Sequence, residues 1–287
     1  MLHRQKVLLL ILQQVGGKAD NLQLMKWSFL LSQETLSQGG KTFYHFIPYR
    51  YGPYSFTLNQ ETDSLIRSGF LEKDSNNSWN LTDIGKKADT RLPLLITQDV
   101  NNIVSRYGNL SSQKLINLVY EKYAWFTINS EIEAKRCFSR PRAETAIYTA
   151  GYEGKTVDEF LNILLKCGIY CLIDIRYNPI SRRYGFHKST LSRLCDYLAI
   201  DYQHLPKLGI AGAERKDLNS VNSYTSLFEN YNVRLSSQQE DLLEVMNLLK
   251  SQPSVLVCME ANPDFCHRHI LAEYLTNVMD MPIKNLQ

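Results

Sequence analysis

Thr145 to Arg176 read TAIYTAGYEGKTVDEFLNILLKCGIYCLIDIR, and the spacing of the apolar residues changes twice along this stretch. Thr145 to Ala150 is a short apolar run of strand length, closed by the turn Gly151-Tyr152-Glu153-Gly154. From Thr156, the residues Val157, Phe160, Leu161 and Leu164 recur at helical spacing until Gly168 stops the helix. Ile169 to Ile175 then carries no charge before Asp174, as expected of a strand buried on both faces. Strand, amphipathic helix and buried strand in this order predict a βαβ unit, and hence an α/β domain with a mostly parallel sheet.

The pattern continues toward the C-terminus. A helix is expected over Ser189 to Leu198, a strand at Asp201 to Leu205, and an irregular polar stretch to about Asn232. A helix at Gln238 to Lys250, a strand at Ser254 to Met259 and a last helix from Cys266 to Val278 complete it. We therefore assign 145–287 to the α/β domain.

Upstream the chain reads as mainly helical. Val7 to Val15 ends at Gly16-Gly17, and a second helix runs from about Asn21 to Ser37. Phe43 to Tyr51 is aromatic and extended, with Gly52-Pro53 ending it in a turn. Ser55 caps a helix in which Leu58, Thr62, Leu65 and Ile66 share a face, and Phe70 to Leu81 forms a hairpin around a polar turn. Helices followed by a two-stranded wing give a winged-helix-like domain at 1–96. A helical extension occupies 97–144, with Ser111 to Tyr123 its clearest helix. It closes in a basic connector, Cys137 to Glu144, with Lys135, Arg136, Arg140 and Arg142 in or beside it.

Composition bounds the rest. The 287 residues carry a net charge of +3, are 44% hydrophobic and have a mean hydropathy of −0.28, which excludes disordered and collagenous chains. Val7 to Leu12 is the longest early apolar run, too short for a membrane span or a signal peptide, so no membrane association is expected and the location is read as cytoplasmic. Six cysteines are too sparse for a disulfide framework. Residues 1–144 carry a charge of +5 and residues 145–287 a charge of −2, so any long-range attraction to nucleic acid belongs to the first half.

Reactive side chains fall just after the predicted strands: Tyr152, then Asp174, Arg176 and Arg182, then His204, then Cys258, Glu260, Cys266, His267 and Arg268. The carboxyl ends of parallel strands open onto one crevice, so these segments are expected to meet. Asp174 or Glu260 would serve as acid or base, and Arg176, Arg182 and Arg268 would hold phosphate, with His267 and Cys258 beside them. Cys266 at a helix N-terminus is the expected low-pKa thiol, and Tyr152 is expected to stack on a base or sugar. A phosphatase loop needs five residues between Cys and Arg, whereas nine residues separate Cys258 from Arg268 and one separates Cys266 from it. Zinc binding by Cys258, Cys266 and His267 lacks a second cysteine pair elsewhere, so neither a metal nor a cofactor is expected. Arg268→Ala and Asp174→Ala are expected to remove activity with little change in melting temperature.

Four motifs in the second half resemble the domain-of-unknown-function family number 488: Tyr148 to Gly154, Leu172 to Arg182, Tyr202 to Gly209, and Cys258-Met-Glu260 with Cys266 to Glu273. The resemblance implies an α/β domain whose motif residues line a pocket, without naming a reaction. The first half is similar to winged-helix-like domains with a Tyr-Gly-Pro-Tyr-Ser signature, here Tyr51 to Ser55, which occur in defence-associated proteins. Only Arg67 on the helix after Ser55 is placed to read bases, so that domain is expected to bind DNA or a protein partner. The expected function is a nucleic-acid-directed enzyme acting on a phosphate-bearing group of DNA, modified or foreign, or of a nucleotide. The alternative is a nucleotide or anion sensor coupled to the first domain.

Overall fold

The computed structural model describes residues 1–76, 78–132, 138–215 and 221–286. Lys135, Arg136 and Cys137 of the connector and residues 216–220 of the polar stretch lie outside them. The chain divides into two compact units, Met1–Ser139 and Arg140–Gln287.

The first unit is mostly helical. Helix α1 (His3–Gln14), strand β1 (Lys18–Ala19) and helix α2 (Asn21–Glu34) come first, and Asp20 caps α2 by accepting from the Gln23 amide. The aromatic stretch is itself a hairpin, β2 (Ile47–Tyr49) and β3 (Gly52–Tyr54): Gly52 and Pro53 lie in the second strand, and Arg50-Tyr51 makes the turn. Helix α3 (Phe56–Arg67) starts at Ser55, whose Oγ accepts from the Leu58 amide. Strands β4 (Leu71–Lys73) and β5 (Trp79–Leu81) pair antiparallel, and β1 adds to β5. Helices α4 (Asp83–Lys86), α5 (Leu94–Tyr107) and α6 (Ser112–Lys122) follow. Leu8, Leu12, Trp27, Phe29, Leu65, Trp79 and Val100 share one core.

The second unit is the expected α/β sheet. Strand β6 (Ile147–Gly151), helix α7 (Val157–Lys166), strand β7 (Cys171–Asp174), helix α8 (Lys188–Tyr197) and strand β8 (Asp201–His204) alternate as read from the sequence. Thr156 and Glu159 form a capping box on α7. The polar stretch before Asn232 is in part helical: α9 (Val221–Leu235) forms because Leu227, Phe228, Tyr231 and Leu235 pack on the sheet core, outweighing the poor propensity of its Asn and Ser residues. Then come α10 (Gln239–Ser251), β9 (Ser254–Cys258), α11 (His267–Met279) and a strand the sequence reading omits, β10 (Ile283–Leu286).

The sheet order is β10-β6-β9-β7-β8, and every pairing is parallel. Strand β9 lies between β6 and β7, so the first crossover spans a strand. The register aligns Gly151 with Cys258, and Asp174 with both Val257 and His204. The ends of four strands, about 4.8 Å apart, thus form one row, which brings distant chain segments to the same edge.

Candidate functional site

Two side-chain clusters stand at that row, on either side of Ile175-Arg176. In the first, Asp174 is fully buried and Arg176 is 6% exposed. Arg176 Nε donates to Asp174 Oδ1 at 2.7 Å and Nη2 to Oδ2, while Nη1 reaches the Tyr152 hydroxyl at 3.0 Å and the Phe186 carbonyl at 2.8 Å. The Tyr202 hydroxyl also donates to Asp174 Oδ2. Burial works against the Arg176 charge, but Asp174 outweighs it and raises its pKa; burial, then Asp174, raises that of the Tyr202 phenol. Tyr152 stacks on Phe186 at 4.1 Å between ring centres. The stacking and phosphate-gripping roles expected of Tyr152 and Arg176 are therefore corrected: the ring face and the guanidinium are already taken inside the protein. His204 closes the cluster's edge, its Nε2 against the Arg176 carbonyl at 2.9 Å and its Nδ1 taking a hydrogen bond from Lys188 at 2.8 Å.

The second cluster is built by the loop after β9. Pro263 opens a single helical turn, Pro263–Phe265, and the Cys266 amide donates back to the Pro263 carbonyl, so the chain doubles over and returns Cys266 toward Cys258. Three contacts hold the loop. The Glu153 amide donates to the Met259 carbonyl, the Glu153 carboxylate accepts from the Ala261 amide at 3.0 Å, and Arg268 donates to the Glu260 and Ala261 carbonyls. Arg268 is 2% exposed, so its expected phosphate contact is corrected to a clamp on the loop backbone. Gly151 is required here: a Cβ on it would lie 1.8 Å from the Glu260 carbonyl oxygen.

Within this loop Cys258, Cys266 and His267 are buried side by side. Cys258 Sγ lies 3.0 Å from Glu260 Oε2 and 3.8 Å from His267 Nδ1, and Cys266 Sγ lies 4.0 Å from the same nitrogen. His267 Nε2 faces the Ile175 carbonyl at 3.2 Å, so Nε2 carries the proton and Nδ1 presents its lone pair. Arg215, which the sequence reading did not single out, donates to Glu260 Oε1 at 2.6 Å and to His267 Nδ1 at 3.0 Å. The two thiols part in pKa. A hydrogen bond from Cys266, helped by His267 against the cost of burial, holds Cys258 well below the usual thiol range. Burial and the adjoining Cys258 push Cys266 well above it. This runs against the expectation that the helix N-terminus favours a Cys266 thiolate: burial, then the adjoining Cys258, works against the charged form.

Residues 156–275 match the family model described as Domain of unknown function DUF488. The DUF488 region spans both clusters except Gly151, Tyr152 and Glu153, which lie just upstream of it. No curated protein and no solved structure matches the chain.

The two clusters differ in access. The Asp174–Arg176 network is closed, whereas Glu260, His267 and Arg215 line a cavity of about 130 Å³ walled by Ile210, Tyr224 and Phe265. Arg182 and Arg183 are exposed on the loop after β7, and His187, Lys188 and Arg193 line an open depression along the first turns of α8. Among the described residues no helix is long and apolar enough to cross a membrane.

Proposed function

We propose that the chain is a nucleic-acid- or nucleotide-directed enzyme of hydrolase type, with its reacting centre at Glu260, His267, Cys258 and Arg215. The observation that carries this reading is the oriented carboxylate. Glu260 is fixed through Oε1 by Arg215, and its second oxygen stands beside the Cys258 thiol, at the wall of a cavity that His267 also lines. A carboxylate held in this way can take a proton from water and return it to a leaving group.

The size of the cavity supports the enzyme reading over the sensor reading. A site that encloses a small molecule has a volume of about 300–1,000 Å³. The 130 Å³ here admits a reacting group, with the remainder of the substrate outside. A sensor that grips a whole nucleotide is the poorer fit. The exposed Arg182 and Arg183 on the loop after β7, with Lys188 at the start of α8, supply phosphate contacts for the part outside. DNA, modified or foreign, is the first substrate to test, and a free nucleotide the second.

The N-terminal unit is the docking module in this reading. Its helices with the three-stranded sheet β1-β5-β4, and the basic charge of the chain in its half, support this reading. Duplex and single-stranded DNA, plain and base-modified, and a nucleotide mixture should each be incubated with the wild-type protein and with Glu260→Gln, and the products weighed by mass spectrometry. A product formed by the wild type, and reduced on the order of 100-fold or more in the variant, is expected. No new mass from any substrate, or equal turnover by Glu260→Gln, would refute the reading.

A further inference from the structure

We propose that Cys258, Cys266 and His267 form a binding site for a divalent transition metal, Zn²⁺ first, with the fourth coordination position open toward the cavity that Glu260 and Arg215 line. The ligand atoms are already assembled: Cys258 Sγ, Cys266 Sγ and a ring nitrogen of His267 all lie within 4.8 Å of one another, and all three residues are buried. Zinc bonds of about 2.3 Å to sulfur and 2.0–2.1 Å to nitrogen place tetrahedral S···N edges at about 3.6 Å. The observed separations of 3.8 and 4.0 Å need only a few tenths of an ångström of closure.

The histidine is prepared for the role. Its Nε2–H is tied to the Ile175 carbonyl, which orients the ring and leaves the Nδ1 lone pair between the two sulfurs. A ligating histidine takes this kind of support from a backbone carbonyl. Two sulfurs and an imidazole select Zn²⁺ over Mg²⁺ or Ca²⁺, which need oxygen ligands.

A positive charge already occupies the edge of the site. Arg215 Nη2 donates to Nδ1 at 3.0 Å, and its other arm holds Glu260. Metal loading displaces Nη2 from the ring while Nη1 keeps Glu260, and each cysteine that still carries its proton releases it to solvent as it becomes a thiolate ligand. The Glu260 carboxylate then stands beside the open fourth position. Three protein ligands with one open position is the arrangement of a catalytic zinc, whereas a structural zinc is closed by four. Metal binding is independent of the proposed hydrolysis and is measured without a substrate.

The test uses the full chain, reduced and freed of metal, titrated with Co²⁺ and then with Zn²⁺. The wild type should take up about one ion per chain, develop a thiolate-to-cobalt charge-transfer absorption in the near ultraviolet, and lose it when Zn²⁺ displaces the Co²⁺. Cys258→Ser and Cys266→Ser should each weaken Co²⁺ binding on the order of tenfold or more and diminish the band. The absence of a thiolate-to-cobalt band in the reduced wild type would overturn the proposal, whether or not the variants fold. So would an unchanged band in a folded Cys258→Ser or Cys266→Ser protein.

Discussion

The two clusters beside Ile175-Arg176 hold similar chemistry in opposite states. Around Asp174 each charged group faces its counter-charge: both carboxylate oxygens are engaged, and the guanidinium serves the carboxylate, a phenol and a carbonyl. Around Glu260 the groups are oriented but reach a cavity, and the thiols and imidazole contact one another without being used up. A buried ion pair whose hydrogen bonds are complete is part of the scaffold. An oriented carboxylate at a cavity wall is available to a substrate.

The sharpest way to break that distinction is to open the closed cluster. Arg176→Ala leaves Asp174 buried without its partner and should cost about 3–5 kcal/mol in chemical denaturation. A loss below about 1 kcal/mol would mean that Asp174 is free to react. Gly151→Ala tests the open cluster through its backbone. The added methyl meets the Glu260 carbonyl, so the loop must move, with an expected cost of about 1–3 kcal/mol and loss of turnover with any substrate that Glu260→Gln also fails to convert. Retained turnover would show that the loop position does not matter.

Lys26 in the N-terminal unit extends the comparison to a buried amine that has no ion pair among the described residues. It is 1% exposed, its Nζ donates to the Pro53 carbonyl at 2.9 Å, and burial pulls it from 10.5 down to about 7. Between pH 7 and 10 the unfolded chain holds a proton there that the folded chain does not, so this residue makes stability rise with pH, by about 1.4 kcal/mol per unit, and adds little slope below pH 7. Lys26→Met should remove that slope when denaturation is followed across the window. An unchanged slope would mean that the amine keeps its charge when folded. The smallest effect is expected at Arg182: as an exposed side chain, its change to alanine should alter stability by less than about 0.5 kcal/mol. It should also lower the slope of log affinity for DNA against log salt by about one if the loop contacts phosphate. An unchanged slope would remove Arg182 from the interface.

Much of this architecture is legible in the chain. Apolar runs of strand length mark β6, β7 and β9, the helical period marks α7, and parallel topology carries Cys258, Asp174 and Gly151 to one edge. Strand β10 escapes because Ile283–Leu286 is short and half-buried and alternates weakly. Arg215 escapes because it belongs to a polar stretch with no period, and only tertiary contact brings it to Glu260 and His267, 45 and 52 residues away. The sequence also places Asp174 and Glu260 on equal terms. What separates them is long-range partnering, such as the Tyr202 hydroxyl reaching Asp174 across 28 residues, and no local pattern encodes it.

Thermal unfolding of Asp174→Ala and Glu260→Gln, measured side by side with the wild type, tests the central distinction without knowledge of the substrate. Asp174→Ala strips Arg176 of its counter-charge and Tyr202 of its acceptor, and should lower Tm by roughly 10 °C. Glu260→Gln keeps the shape of the side chain and its place at the cavity wall, and should shift it by less than about 2 °C. Equal small shifts, as the sequence alone led us to expect for Asp174→Ala, would contradict the assignment of one cluster to the scaffold and the other to the reaction.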